Sequence, residues 1–74
     1  MQRLDLRGQG LRAIPDWIWS ETDLEWLNLS ENRLEHLSPK IAELTRLRML
    51  DVGHNALDSL PDAIGDLPEL SDYL

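Results

Sequence analysis

The sequence predicts an α/β solenoid of stacked strand–turn–helix coils. Three observations carry that prediction. The 74-residue chain aligns with itself at an offset of 23 residues. Within each unit the apolar spacing switches from every second residue to every third or fourth. The apolar content is dominated by Leu at fixed columns, with no Phe, one Tyr and three Trp.

The columns define three units near residues 1–23, 24–46 and 47–69 and a partial fourth at 70–74, all within a single domain. Met1, Leu24, Leu47 and Leu70 share one column, and Leu4, Leu27, Leu50 and Tyr73 the next. Leu6, Leu29 and Val52 follow, then Leu11, Leu34 and Leu57, then Ile14, Leu37 and Leu60, then Ile18, Ile41 and Ile64. The alternation Leu27-x-Leu29 is that of a short half-buried strand, so strands are expected near 3–6, 26–29 and 49–52, with a stub near 72–74.

The chain then turns. Asn32 and Asn55 align there, with Gln9 at the same place in the first unit. A turn that leaves a strand strands backbone groups in the interior, and a buried Asn amide both donates and accepts to satisfy them. Asn32 and Asn55 are therefore read as ladder residues. The return half follows helical spacing, as Leu37, Ile41, Leu44 and Leu47 show. Short helices are expected near 16–20, 39–44 and 62–66, with Ser38-Pro39 as a start and Pro68 as a stop. No such unit buries its apolar face alone. Stacked, the units form one Leu core with parallel strands on the concave side and short α or 3-10 helices on the convex side.

The segment Leu24-Glu25-Trp26-Leu27-Asn28-Leu29-Ser30-Glu31-Asn32-Arg33-Leu34 resembles the leucine-rich-repeat consensus L-x-x-L-x-L-x-x-N-x-L. Leu60-Pro61-Asp62-Ala63-Ile64-Gly65-Asp66-Leu67 resembles the L-P-x-x-I-x-x-L half, typical of 23-residue intracellular repeats in Scribble-like, Ras-suppressor-like and bacterial repeat proteins. The first unit departs from the pattern, with Gln9 for Asn and Glu21 where Leu44 and Leu67 stand. The resemblance implies a right-handed leucine-rich-repeat solenoid that binds another protein on its concave sheet, without catalysis, cofactor or metal. It also leaves two alternatives: a targeting segment of a larger signalling enzyme (a kinase, ubiquitin ligase or GTPase), and a purely structural repeat fragment.

Charge and composition point the same way. Fourteen acids against seven bases give a net charge of −7, spread along the chain, which speaks against nucleic acid and anionic membrane partners. There is no Cys, hence no disulfide, thiolate metal site or Cys nucleophile. Together with an N-terminus lacking an apolar signal-like run, this leads to the expectation of a cytoplasmic protein.

Strand alternation assigns the outward positions. They form the columns Arg3–Trp26–Met49–Asp72, Asp5–Asn28–Asp51, Arg7–Ser30–Gly53 and Gly8–Glu31–His54. Trp26 beside Met49 is the most informative pair: two large apolar side chains at exposed positions within a polar rim, the usual build of an interface hot spot. The expected partner-binding set is Arg3, Asp5, Trp26, Asn28, Glu31, Met49, Asp51, His54 and Asp72. Trp17 and Trp19 flank inward Ile18 and are expected to cover the N-terminal end of the core or to make a second contact. Ser30, His54 and Asp51 invite comparison with a catalytic triad, but nothing in the pattern supplies an oxyanion hole. Gly8-Gln9-Gly10 reads as turn glycines rather than a phosphate loop. At the other end Leu70, Tyr73 and Leu74 carry the core columns forward with no polar coil after them. The expectation there is a fragment of a longer array, or self-association through the C-terminal edge.

Overall fold

A computed structural model describes all 74 residues. Four strands, β1 (Arg3–Asp5), β2 (Trp26–Asn28), β3 (Met49–Asp51) and β4 (Asp72–Tyr73), form one parallel sheet in the order β1-β2-β3-β4. The register is that of the repeat: Leu4 pairs with Leu27, Leu27 with Leu50 and Leu50 with Tyr73. Backbone pairing runs past the formal strand ends. Leu6 N donates to Asn28 O at 2.8 Å and Leu29 N to Asp51 O at 2.8 Å, which recovers the longer strands the alternation predicts.

The return segments are 3-10 helices of five residues each: η1 (Asp16–Ser20), η2 (Pro39–Glu43) and η3 (Asp62–Asp66). The sequence allowed α or 3-10 geometry, and the local bonds select the latter. Ile18 N donates to Pro15 O, Ile41 N to Ser38 O and Ile64 N to Pro61 O, all three-residue steps. A 3-10 helix is narrower than an α-helix, which suits coils whose strands stack about 4.8 Å apart. The expected start and stop signals operate. Lys40 N donates to Ser38 Oγ at 3.1 Å. Leu67, held before Pro68, takes an extended ψ of 110°, whereas Glu21 and Leu44 at the equivalent caps have ψ of 65° and 67°.

The core lies between sheet and helices and is closed at nine side chains: Ile18, Leu24, Leu27, Leu29, Leu34, Ile41, Leu44, Leu47 and Leu50. Leu4, Leu6, Leu11, Ile14, Leu57, Ile64 and Leu70 pack on it while only partly buried. No helix is long and apolar enough to cross a membrane.

The asparagines hold the turns. Asn32 donates through Nδ2 to Leu6 O, Leu29 O and Ser30 O, and its Oδ1 accepts from Gln9 N and Leu11 N. Asn55 repeats this one coil later, donating to Leu29 O, Val52 O and Gly53 O and accepting from Leu34 N. The ladder thus runs from each Asn to the backbone of the preceding coil rather than from Asn to Asn. No buried side-chain polar atom lacks a partner.

Candidate functional site

The inward Leu residues fix the opposite face of the sheet. Because side chains alternate along a strand, burying Leu4, Leu27 and Leu50 aims their neighbours outward. Arg3, Trp26, Met49 and Asp72 stand in one register row, and Asp5, Asn28 and Asp51 in the next. The structure brings these predicted residues together on one surface. Trp26 and Met49 are half-buried there, and the Arg3 guanidinium lies 4.6 Å from the centre of the Trp26 ring. That cation–π contact fixes one side of the indole. A hollow of about 430 Å³ opens around Arg3, Trp26, Met49 and Asp72.

Toward the ends of the strands the surface becomes polar. A second hollow of about 250 Å³ is lined by Arg7, Asn28, Ser30, Glu31, Asp51 and His54. Arg7 pairs with Glu31, and both are well exposed. The hydrogen bond and charge of Arg7 hold the Glu31 carboxyl below its ordinary range, and Glu31 in turn pushes the guanidinium of Arg7 further up. The Ser30 hydroxyl donates to Asn28 Oδ1 at 2.6 Å, so it is engaged away from His54.

Two features of these residues were not read from the sequence. The column Asp5–Asn28–Asp51 has structural work as well as a surface. Asp5 Oδ1 accepts from Arg7 N at 3.1 Å, Asn28 Oδ1 from Ser30 N at 2.9 Å and Asp51 Oδ1 from Gly53 N at 2.9 Å. Each closes an Asx turn where the strand ends. The restriction of the column to Asp and Asn was the available signal. Second, Glu31 and His54 both have φ of 54°, in the left-handed region, in the column where Gly8 has φ of 66°. The alignment of Gly8 with these two positions was a sign of that geometry.

Trp17 and Trp19, paired in the sequence reading, have different surroundings. Trp19 is 9% exposed and belongs to the core. It borders a hollow shared with Ile14 of its own coil and His36, Ser38 and Lys40 of the next. Trp17 is 48% exposed. At the C-terminal edge Leu60, Tyr73 and Leu74 are 47%, 37% and 71% exposed and line an apolar groove with Val52 and Leu57. Burial raises the pKa of the Tyr73 phenol.

The sequence model of the leucine rich repeat family matches residues 1–57 and again 22–72. The chain is 43% identical over 44 residues, 60% of its length, to the receptor-like protein CLAVATA2 of Arabidopsis thaliana. It is 33% identical over 60 residues, 81% of its length, to the oligodendrocyte-myelin glycoprotein of Homo sapiens. It is 37% identical over 67 residues, 86% of its length, to the leucine-rich repeat serine/threonine-protein kinase 1 of Caenorhabditis elegans. The matched stretches are 6%, 13% and 3% of those proteins, so the chain spans a small part of each.

Proposed function

The chain belongs to the leucine-rich-repeat family of protein-interaction modules, and we propose that its partner docks on the concave sheet around Trp26 and Met49. The observation that supports this reading is the placement of two large apolar side chains, adjacent in register, on a face whose other residues are polar. A preset indole inside a hydrogen-bonding rim offers area at low entropic cost. Arg3, Asp5, Asn28, Glu31, Asp51, His54 and Asp72 form the rim. The test compares the wild type with a Trp26→Ala/Met49→Ala double variant and with Trp17→Ala as a control. The concave reading expects partner capture to fail in the double variant alone, with circular dichroism unchanged in both.

A second reading is a targeting segment of a larger signalling enzyme. It is favoured by the likeness, along 86% of this chain, to a protein named as a serine/threonine kinase. Sequencing the gene on both sides of this segment tests it: an adjoining catalytic domain supports the reading and its absence removes it. A third reading, supported by the exposed apolar side chains of Leu60, Tyr73 and Leu74, is self-association through that edge. Light scattering should then show mass rising with concentration, and a monomer at the highest concentration removes it.

A further inference from the structure

Resting on the concave reading, we propose that the segment recognised there is extended and pairs an apolar side chain, seated on Met49 and Trp26, with a Lys or Arg two residues away, seated on the Asp51 carboxylate. The charges of the concave face are unevenly engaged. The ion pairs of the molecule are Arg7–Glu31, Arg46–Asp23 and Arg48–Glu25. Arg7 and Glu31 therefore satisfy each other, and Arg3 lies over the Trp26 ring. Asp5, Asp51 and Asp72 form no ion pair, although Arg7 borders the hollow that Asp51 lines and Arg3 and Arg48 border the one that Asp72 lines. The charge of Arg7 is offset by its partner Glu31, so the carboxylates left to draw a cation to the sheet are those outside any ion pair. Opposite charge on the partner sets both its orientation and its encounter rate.

The local chemistry selects Asp51. Its Oδ1 is occupied by Gly53 N, which leaves Oδ2 for a ligand. Gly53 stands in the outward column where the earlier coils carry Arg7 and Ser30. A Cβ at Gly53 would lie 3.1 Å from Asp51 Oδ1, and the φ of Gly53 is not in the left-handed range. Arg7 and Ser30 close the same turn beside Asp5 and Asn28, so the glycine is not required by the turn; it brings no side chain beside the Asp51 carboxylate, where the first coil carries Arg7. Met49 and Asp51 lie two residues apart on one strand, about 6.6 Å at the rise of an extended chain. An extended ligand presents its side chains i and i+2 on one face at the same spacing. The apolar and acidic positions thus match a partner segment of form apolar-x-Lys or apolar-x-Arg lying along the strands.

Asp51→Asn is a clean probe, because Asn28 in the same column already closes the same turn through its Oδ1. The variant keeps the fold and removes only the charge. A phage-displayed library of random dodecapeptides is panned against the full wild-type chain. One selected peptide is then synthesised and titrated against wild type, Asp51→Asn and Trp26→Ala/Met49→Ala. The expected result is enrichment of a basic residue two positions from an apolar one. Loss of the charge-assisted contact in Asp51→Asn should weaken binding about tenfold and flatten its salt dependence. Selected peptides without a basic residue, acidic peptides, or equal binding to Asp51→Asn overturn the partner chemistry while leaving the concave reading standing. Equal binding to the Trp26/Met49 variant, or no peptide enriched above that variant's background, overturns the concave reading and this proposal with it.

Discussion

The second coil and its two neighbours use the same columns with different results. In the second coil Leu24, Leu27, Leu29, Leu34, Ile41 and Leu44 are completely buried and Leu37 is 5% exposed. In the first, Leu4, Leu6, Leu11 and Ile14 hold four of those columns and stay half-buried, and Ile18 alone among the coil's column residues is closed. In the third, Leu47 and Leu50, on the side where β4 pairs, are closed, whereas Leu57 and Ile64 are half-buried and Leu60 is 47% exposed. Residue type does not separate the sets, since Leu dominates all three. What separates them is a coil packed on both sides rather than one. In a solenoid each coil buries its apolar edge only against its immediate neighbours, so stability is a nearest-neighbour quantity.

The largest expected effect follows from that contrast. Leu27→Ala or Leu34→Ala removes fully packed side chains and should cost about 3–5 kcal/mol. For a chain of this size that is most of the stability to be had, so the cooperative urea transition should be lost or shifted near zero denaturant. Leu6→Ala, in the same column as Leu29, should cost about half as much because part of that side chain already meets water. Equal losses at Leu6 and Leu27 would break the nearest-neighbour account.

Next comes the ladder. Asn32 is 8% exposed and makes five hydrogen bonds, whereas Asn55 is half-buried and makes four. Asn32→Ala removes five hydrogen bonds, two of them fully buried, and should cost about 3 kcal/mol, while Asn55→Ala removes four part-buried ones and should cost about 1–2 kcal/mol. Denaturant titration of the two variants reads the order, and a greater loss at Asn55 would contradict it.

The smallest effect belongs to the concave pair Arg7–Glu31, which is exposed on both sides and screened by solvent. Arg7 lowers the folded-state pKa of Glu31, so the pair's contribution is present above the ordinary Glu range. It is lost as pH falls through the lowered folded value. Wild type and Glu31→Gln should therefore differ slightly near neutral pH and converge in acid. A Glu31→Gln variant more stable than wild type at neutral pH would show that the pair destabilises the fold.

Most of this architecture was legible in the sequence because a repeat states each position more than once. Leu27 alone is one apolar residue; Leu4, Leu27, Leu50 and Tyr73 in register are a core column. Asn32 and Asn55 announced the ladder for the same reason. The 3-10 geometry was not separable from α, since a five-residue segment that starts at a proline or directly after one satisfies either period. The turn-closing bonds of Asp5, Asn28 and Asp51 were hidden because the same residue types also suit an outward, ligand-facing row. Trp17 and Trp19 were read as a pair because no other unit carries Trp at either position. Burial of one and exposure of the other depends on which side of η1 each faces, and a single occurrence does not reveal that.

The proposed interaction surface rests on the division of β2 between Leu27, which builds the core, and Trp26, which stands on the concave face. The most direct test measures stability and partner binding side by side for Leu27→Ala and for Trp26→Ala/Met49→Ala. The account predicts that the double variant melts cooperatively within about 1 kcal/mol of wild type, as surface changes do, and no longer captures the partner. A double variant that loses its transition as Leu27→Ala does, or that binds as wild type does, would contradict it.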